Sequence, residues 1–295
     1  MSRRRTTAVA LLVLLAAWAA SATAGAAVPR LVFPVVGKTT YTNDFGAPRG
    51  QGRHMGNDLM AAKRTPVVAV EGGRVTKWTS SSRAGCMPYL YGKSGTTYLY
   101  IHLNNDRTLE NDNKGGCRNG IAYAPGLESG QRVQAGQLIG YVGDSGDANG
   151  IASHLHFELH VNGNRVVSPY EHLRKARRLL FPRPPASVTT LTARVNGTVI
   201  RTRTDLEPNR VAIKVAKVHL ANGWVVRPDR NVALALAEEA VLRRAVAPRT
   251  YETASLEHFE PGRRVSAWTI EFPQRLAYAK AGSGRLQAAD LLLRR

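Results

Sequence analysis

Polar and apolar residues alternate strictly through His154–Val161. His154, His156, Glu158 and His160 take the even positions, and Leu155, Phe157, Leu159 and Val161 the odd ones. A period of two marks a strand with one face in a core. The pattern therefore predicts a strand that presents three imidazoles and a carboxylate on one side. Residues 96–103 repeat the logic: Leu99, Ile101 and Leu103 alternate with Tyr98, Tyr100 and His102, which puts His102 on a polar face. Residues 67–70 lead through Glu71-Gly72-Gly73 into residues 74–78, a pattern that predicts a hairpin. Residues 132–142 mix strand with glycine turns, and Asn162-Gly163 predicts a turn after the histidine-rich strand. Residues 169–180 predict a short closing helix with proline at its start, where proline is tolerated.

A proline-rich break at residues 181–187 predicts a linker between a first unit, residues 28–180, and a second, residues 188–295. In the second unit Asn196-Gly197 and Asn222-Gly223 lie between strand-like runs and predict two hairpins. Residues 232–246 predict a helix and residues 264–272 a later strand. The expected architecture is mainly β in the first unit, followed by a small α+β domain.

Three arginines, an apolar run over residues 8–20 and then small residues predict an export signal over residues 1–26. The run is short for a membrane span, which needs about 20 residues. No stable membrane insertion is expected once the signal is removed. In an exported chain the cysteine pair, Cys86 and Cys117, predicts a disulfide. It would close a loop of about 30 residues, a constraint on the order of 3 kcal/mol.

The net charge is +20, and basic residues exceed acidic ones by similar margins in both units. Such a surface attracts anionic partners. No interleaved aromatic stripe or nucleic-acid motif accompanies the charge. Outside a cell, anionic wall polymers and lipid head groups are the expected partners, and nucleic acid is not.

Three pieces carry candidate chemistry. His154 and His156 on one strand face can converge on a small site, although a solvated, histidine-rich face is the alternative for this piece alone. His102 on its own would more often be structural. His54 and Asp58 lie among Gly50, Gly52 and Gly56, which argue for a loop able to bring both side chains together. Imidazole nitrogen and carboxylate oxygen suit zinc, and a catalytic zinc site keeps a position open for water.

In combination the pieces resemble the lysostaphin-type (LytM-type) zinc murein endopeptidases. That family is marked by His-x-x-x-Asp, a Tyr-x-His-Leu strand and His-x-His, and all three occur here in order. The flanking segments 44–50, 140–146 and 168–170 match as well, so the resemblance covers residues 33–173. It implies an antiparallel sheet flooring a groove, with loops 79–95 and 104–131 as walls. It implies one zinc ion per chain held by His54, Asp58 and His156, with His102 and His154 moving protons and steadying the oxyanion. Glu158 is a candidate partner for an imidazole, and His160 has no motif role. The implied function is an exported zinc metalloendopeptidase that cuts peptide bonds of cell-wall peptidoglycan. The alternative is a catalytically silent murein-binding or hydrolase-activating protein of the same fold.

Overall fold

The structure, a computed structural model, describes residues 28–50, 52–185, 187–273 and 286–294. The expected export signal lies outside the described residues. Among the described residues no helix is long and apolar enough to cross a membrane.

The fold is mainly β, as expected. A seven-stranded antiparallel sheet forms the first unit's centre. Its middle strand is His154–Val161. Asn57–Met60 and Arg165–Val167 pair along one side of it, and Thr97–Ile101 pairs along the other. Gly85–Gly92, Gly73–Ser81 and Arg132–Val133 continue the sheet. In His154–Val161 the apolar positions of the period-two pattern are the ones buried, with Leu155, Phe157 and Leu159 fully enclosed beside Leu103; in Thr97–Ile101 the expected faces are reversed, since Tyr98 and Tyr100 enter this core and Leu99 and Ile101 lie on the face of His156 and Glu158. One face of the sheet thus packs a core and the other carries His156 and Glu158.

Two further expectations in this unit are corrected. Residues 67–78 do not form a hairpin. Pro66–Val68 pairs with Leu138–Tyr141 in a separate small sheet, and Gly73–Ser81 pairs with Gly85–Gly92. Glu71 and Gly72 carry the chain from one sheet to the other. The closing helix is shorter than expected, Tyr170–Lys175, and stops as the chain extends at Ala176. Cys86 and Cys117 are joined in a disulfide.

The second unit differs more. Strand Arg210–Leu220 pairs with both Ala193–Arg203 and Arg230–Ala247, which closes five strands of a seven-stranded sheet into a barrel. The helix expected at residues 232–246 is a strand, Arg230–Ala247. Its Ala, Leu and Glu content favours helix, but Val232, Leu234 and Leu236 alternate into the barrel core. Tertiary pairing outweighs the weak local preference. Among its described residues the second unit holds strands and one short 3-10 turn, Leu256–His258, in place of the expected α+β mixture. Asn196-Gly197 is not a turn either. It sits inside the strand Ala193–Arg203 at a register shift, a bulge. Asn222-Gly223 does turn, between Arg210–Leu220 and Val225–Val226.

The units share apolar packing. Val36, Val68 and Phe181 belong to the same buried cluster as Val226 and Phe272, and the Phe181 and Phe272 rings lie 5.9 Å apart.

Candidate metal centre

The polar face of His154–Val161 carries the site. Its register sets His156 opposite Asp58 and His154 opposite Met60 on the neighbouring strand. Opposed residues in an antiparallel pair share a face, so backbone pairing alone brings Asp58 to His156. Gly56 lets the preceding loop approach. A Cβ there would collide with the Phe157 carbonyl and lie 2.9 Å from His156 Nε2. The loop then delivers His54, which is buried.

The result is a triangle of donor atoms. His54 Nε2 lies 3.1 Å from Asp58 Oδ1 and 2.9 Å from His156 Nδ1, and His156 Nδ1 lies 3.0 Å from Asp58 Oδ1. The remaining ring nitrogens are pinned from outside. His54 Nδ1 lies 3.0 Å from the Asp44 carbonyl, and His156 Nε2 lies 3.0 Å from Glu158 Oε1. An imidazole that donates its proton outward presents a lone pair inward. Two lone pairs and a carboxylate oxygen facing one another at 2.9–3.1 Å repel unless a cation lies among them. This donor set fits a metal, and nitrogen with carboxylate oxygen suits zinc. Arg49 occupies the other Asp58 oxygen, with Nη2 at 2.7 Å from Oδ2, and leaves Oδ1 as the inward atom.

Without a metal, protons are the cations available. Burial pushes His156 down, but hydrogen bonds with Asp58 and Glu158 outweigh it and raise its pKa to about 9. Burial likewise opposes ionisation of Asp58, yet hydrogen bonds from His156 and His54 hold it well below the usual carboxylate range.

Two more histidines line the same pocket. His154 Nδ1 lies 2.8 Å from the Ala152 carbonyl, which leaves Nε2 3.9 Å from Asp58 Oδ1. His102 departs from expectation. The strand ends at Ile101, and His102 has a left-handed backbone with φ 64°. For a non-glycine residue this costs on the order of 1–3 kcal/mol and tends to persist where geometry is functional. The turn aims Nδ1 at the Ser145 carbonyl, 2.8 Å away, and stacks the ring edge-to-face on His154 at 5.1 Å between centroids. Burial and then the His154 imidazole lower the His102 pKa to about 4.

All five expected residues therefore meet in one pocket. Sequence reasoning passed over Asp44, Arg49 and Ser145 as parts of the site, although all three lie in the flanking segments 44–50 and 140–146 that resembled the family. Of the two expected groove walls, residues 79–95 line the pocket and residues 104–131 do not. The pocket is lined by residues from 49–58, 81–84 and 147–151. Residues 79–92 are mostly strand. Beyond the pocket, register carries the same face to Leu99 and Tyr89, and on to Trp78 and Tyr91, whose rings are half-exposed.

Comparison with known proteins puts a family to this arrangement. Residues 119–168 match the profile of Peptidase family M23. The chain is 28% identical over 159 residues to the L-Ala--D-Glu endopeptidase of Bacillus subtilis, covering 50% of this chain and 44% of that protein. It is 30% identical over 135 residues to the peptidoglycan DD-endopeptidase ShyC of Vibrio cholerae, covering 46% and 24%. The catalytic domain of lysostaphin from Staphylococcus simulans aligns at 25% identity and a TM-score of 0.36, over 46% of this chain and 92% of that domain. Residues 119–168 are thus similar to Peptidase family M23, and the relatives the chain matches include peptidoglycan endopeptidases. It spans less than half the length of the curated relatives it matches.

Proposed function

We propose that the protein is a zinc endopeptidase that hydrolyses peptide bonds in the peptide portion of bacterial peptidoglycan, outside the cytoplasm. The observation that carries this is the inward-facing triangle of His54 Nε2, Asp58 Oδ1 and His156 Nδ1, with both imidazoles pinned by outward hydrogen bonds. These three atoms would hold the ion. When bound, zinc supplies Lewis acidity, which makes water nucleophilic near neutral pH and polarises the scissile carbonyl.

The chain's other residues handle protons and position. His102 and His154 each bond a backbone carbonyl through Nδ1 and turn Nε2 toward the pocket, where His102 Nε2 lies 3.7 Å from Asp147 Oδ1 and His154 Nε2 3.9 Å from Asp58 Oδ1. One accepts a proton from the attacking water and returns it to the leaving amine, the work of a general acid–base. The other steadies negative charge growing on the carbonyl oxygen. The sheet face running from Glu158 to Tyr89 and Trp78 supplies the floor on which substrate lies.

The relatives' peptidoglycan activities support the substrate class. The test is zinc stoichiometry and release of soluble muropeptides from purified walls, for the wild type and for His156→Ala. The expected outcome is one zinc and hydrolysis in the first, neither in the second. A folded wild type that binds zinc and walls but releases nothing would favour a silent binding protein.

A further inference from the structure

Asp58 and Met60 share a face of their strand, and Met60 stands directly opposite His154. Met60 also lines a second cleft, of about 1000 Å³, between the two units. Ala152 and Ser153, just before His154, form part of the same wall. The cleft therefore adjoins the metal centre along this strand pair, and a chain lying across the metal and past His154 would be led toward it.

Its chemistry is one-sided. Lys38, Lys63, Arg64 and Arg227 line it, and no carboxylate does among the described residues. Lys63 is neutralised from behind by Asp106 at 2.6 Å and Asp144 at 3.1 Å. Arg64 donates to the backbone carbonyls of Asp106 and Arg107, which leaves its charge unbalanced. Among the described residues Lys38 and Arg227 make no ion pair. The three come from separate segments that meet at Gly37: a Cβ there would lie 2.5 Å from Thr65 Cγ2 and 3.6 Å from the Arg227 carbonyl. Gly37 thus lets the second unit close on the first and brings the segments that carry three solvent-exposed basic side chains to one cleft, whose positive field attracts an anion. The shared apolar cluster fixes the two walls together. Trp224, packed against the cores of both units, and Tyr141 give the cleft apolar surface as well.

We propose that this cleft is a substrate subsite for a carboxylate-bearing peptide segment, with Lys38, Arg64 and Arg227 holding its acidic groups. Met60, Tyr141 and Trp224 pack on its apolar parts. The identity of the peptide rests on the endopeptidase reading; the preference for carboxylates does not. Contiguity with the metal centre favours an arm of the cleaved peptide over a separate phosphate-rich polymer.

The test uses zinc-stripped full-length protein, so that neither hydrolysis nor metal–carboxylate contact contributes. The probes are a fluorescent soluble muropeptide with free carboxylates and the same molecule with those carboxylates amidated, compared by anisotropy at fixed ionic strength. The wild type should bind the acidic form at least about tenfold more tightly. Lys38→Gln/Arg64→Gln/Arg227→Gln should lose that preference, while Arg201→Gln/Lys214→Gln/Lys217→Gln, with the same change in net charge, should keep it. If the cleft triple variant does not fold, Arg227→Gln alone should lose at least about threefold. No preference in the wild type, or equal loss in both triple variants, would overturn the proposal. So would displacement of the acidic muropeptide by a glycerol-phosphate polymer at lower concentration. Failure of the wild type to hydrolyse walls would count against the endopeptidase reading and leave this measurement intact.

Discussion

Glu158 Oε1 accepts a hydrogen bond from His156 Nε2 at 3.0 Å, while its other oxygen meets His160 Nε2 at 2.6 Å. His160 Nδ1 in turn lies 2.9 Å from Asn164 Oδ1. The polar face of one strand thus forms a chain that leads from the metal centre to the turn beyond it. A carboxylate behind a ligating imidazole fixes its tautomer and orientation, and its loss commonly costs about 10–100-fold in metal affinity. Glu158→Gln should weaken zinc binding by that order in a chelator competition titration. His160→Ala should weaken it less, because Glu158 remains in place. Equal affinity in Glu158→Gln and wild type would remove Glu158 from the centre.

His102 can be probed through its backbone. Either His102→Ala or His102→Gly should keep zinc and slow wall hydrolysis by about 10²–10⁴-fold, the scale of losing a general acid–base group. The two should differ in stability. Glycine accepts φ 64° freely and alanine does not, so thermal unfolding should find His102→Gly the more stable, by roughly 1 kcal/mol. The reverse order would mean that the left-handed geometry is absent in solution.

The period-two pattern was enough to find the site strand and its polar face, because burial of alternate residues dictates both. Bringing Asp58 to His156 needed only strand register. What the sequence left hidden depends on backbone atoms. The carbonyls of Asp44, Ser145 and Ala152 set three imidazole orientations, and a carbonyl has no residue signature. The turn at His102 was hidden for the same reason, since the alternation runs unbroken through Leu103 although the strand does not. In the second unit, residues 230–247 carry a helical composition, and only the barrel's need for inward Val232, Leu234 and Leu236 decides otherwise.

The metal-free protein and its zinc complex should respond to pH in opposite ways. His156 is raised from 6.5 to about 9, so its stabilising pairs are fully present below pH 6.5 and are lost as pH rises toward 9. Glu158 is lowered from 4.5 to about 2, first against burial and then through His156 and His160, so its contribution is present above pH 4.5 and is lost as pH falls toward 2. From these two groups, metal-free protein is most stable between roughly pH 4.5 and 6.5. Zinc requires a deprotonated His156, so its affinity should climb from pH 6 to 9. Unfolding midpoints at pH 6 and 9 with chelator and with zinc should diverge accordingly. A chelated protein equally stable at both would show that the His156 pairs do not form.

The groove floor offers a separation of binding from chemistry. Trp78, Tyr89 and Tyr91 form a row, with ring centroids 6.4 and 6.2 Å apart, and Trp78 and Tyr91 are each 49% exposed. Tyr89 shares a face with Leu99 and Glu158, two strand spacings from the site strand, or roughly 10 Å. Half-exposed aromatic rings beside a site are binding surface. Trp78→Ala should raise KM on wall polymer several-fold and leave kcat and zinc content unchanged. A fall in kcat with unchanged KM would instead make the ring a support for the site.

The disulfide stands behind His102. Cys86 pairs across a bridge with Leu103, and its amide donates to Ser145 Oγ at 2.9 Å. That hydroxyl donates to the Leu103 carbonyl at 2.5 Å, and the Ser145 carbonyl holds His102 Nδ1. Cys117 ties this knot to the long connection after Leu103, at a sequence separation of 31 from Cys86. His54, Asp58 and His156 stand on other segments and owe their positions to register and to Gly56. Cys86→Ser/Cys117→Ser should therefore lower the unfolding midpoint, by an amount on the order of 3 kcal/mol at most. It should also reduce turnover more than zinc content, because the loosened element carries His102 and none of the three residues proposed to hold the metal. Zinc stoichiometry and wall hydrolysis, measured below the lowered midpoint, decide the matter. Parallel loss of zinc and activity would mean that the bridge supports the whole unit and not the His102 turn.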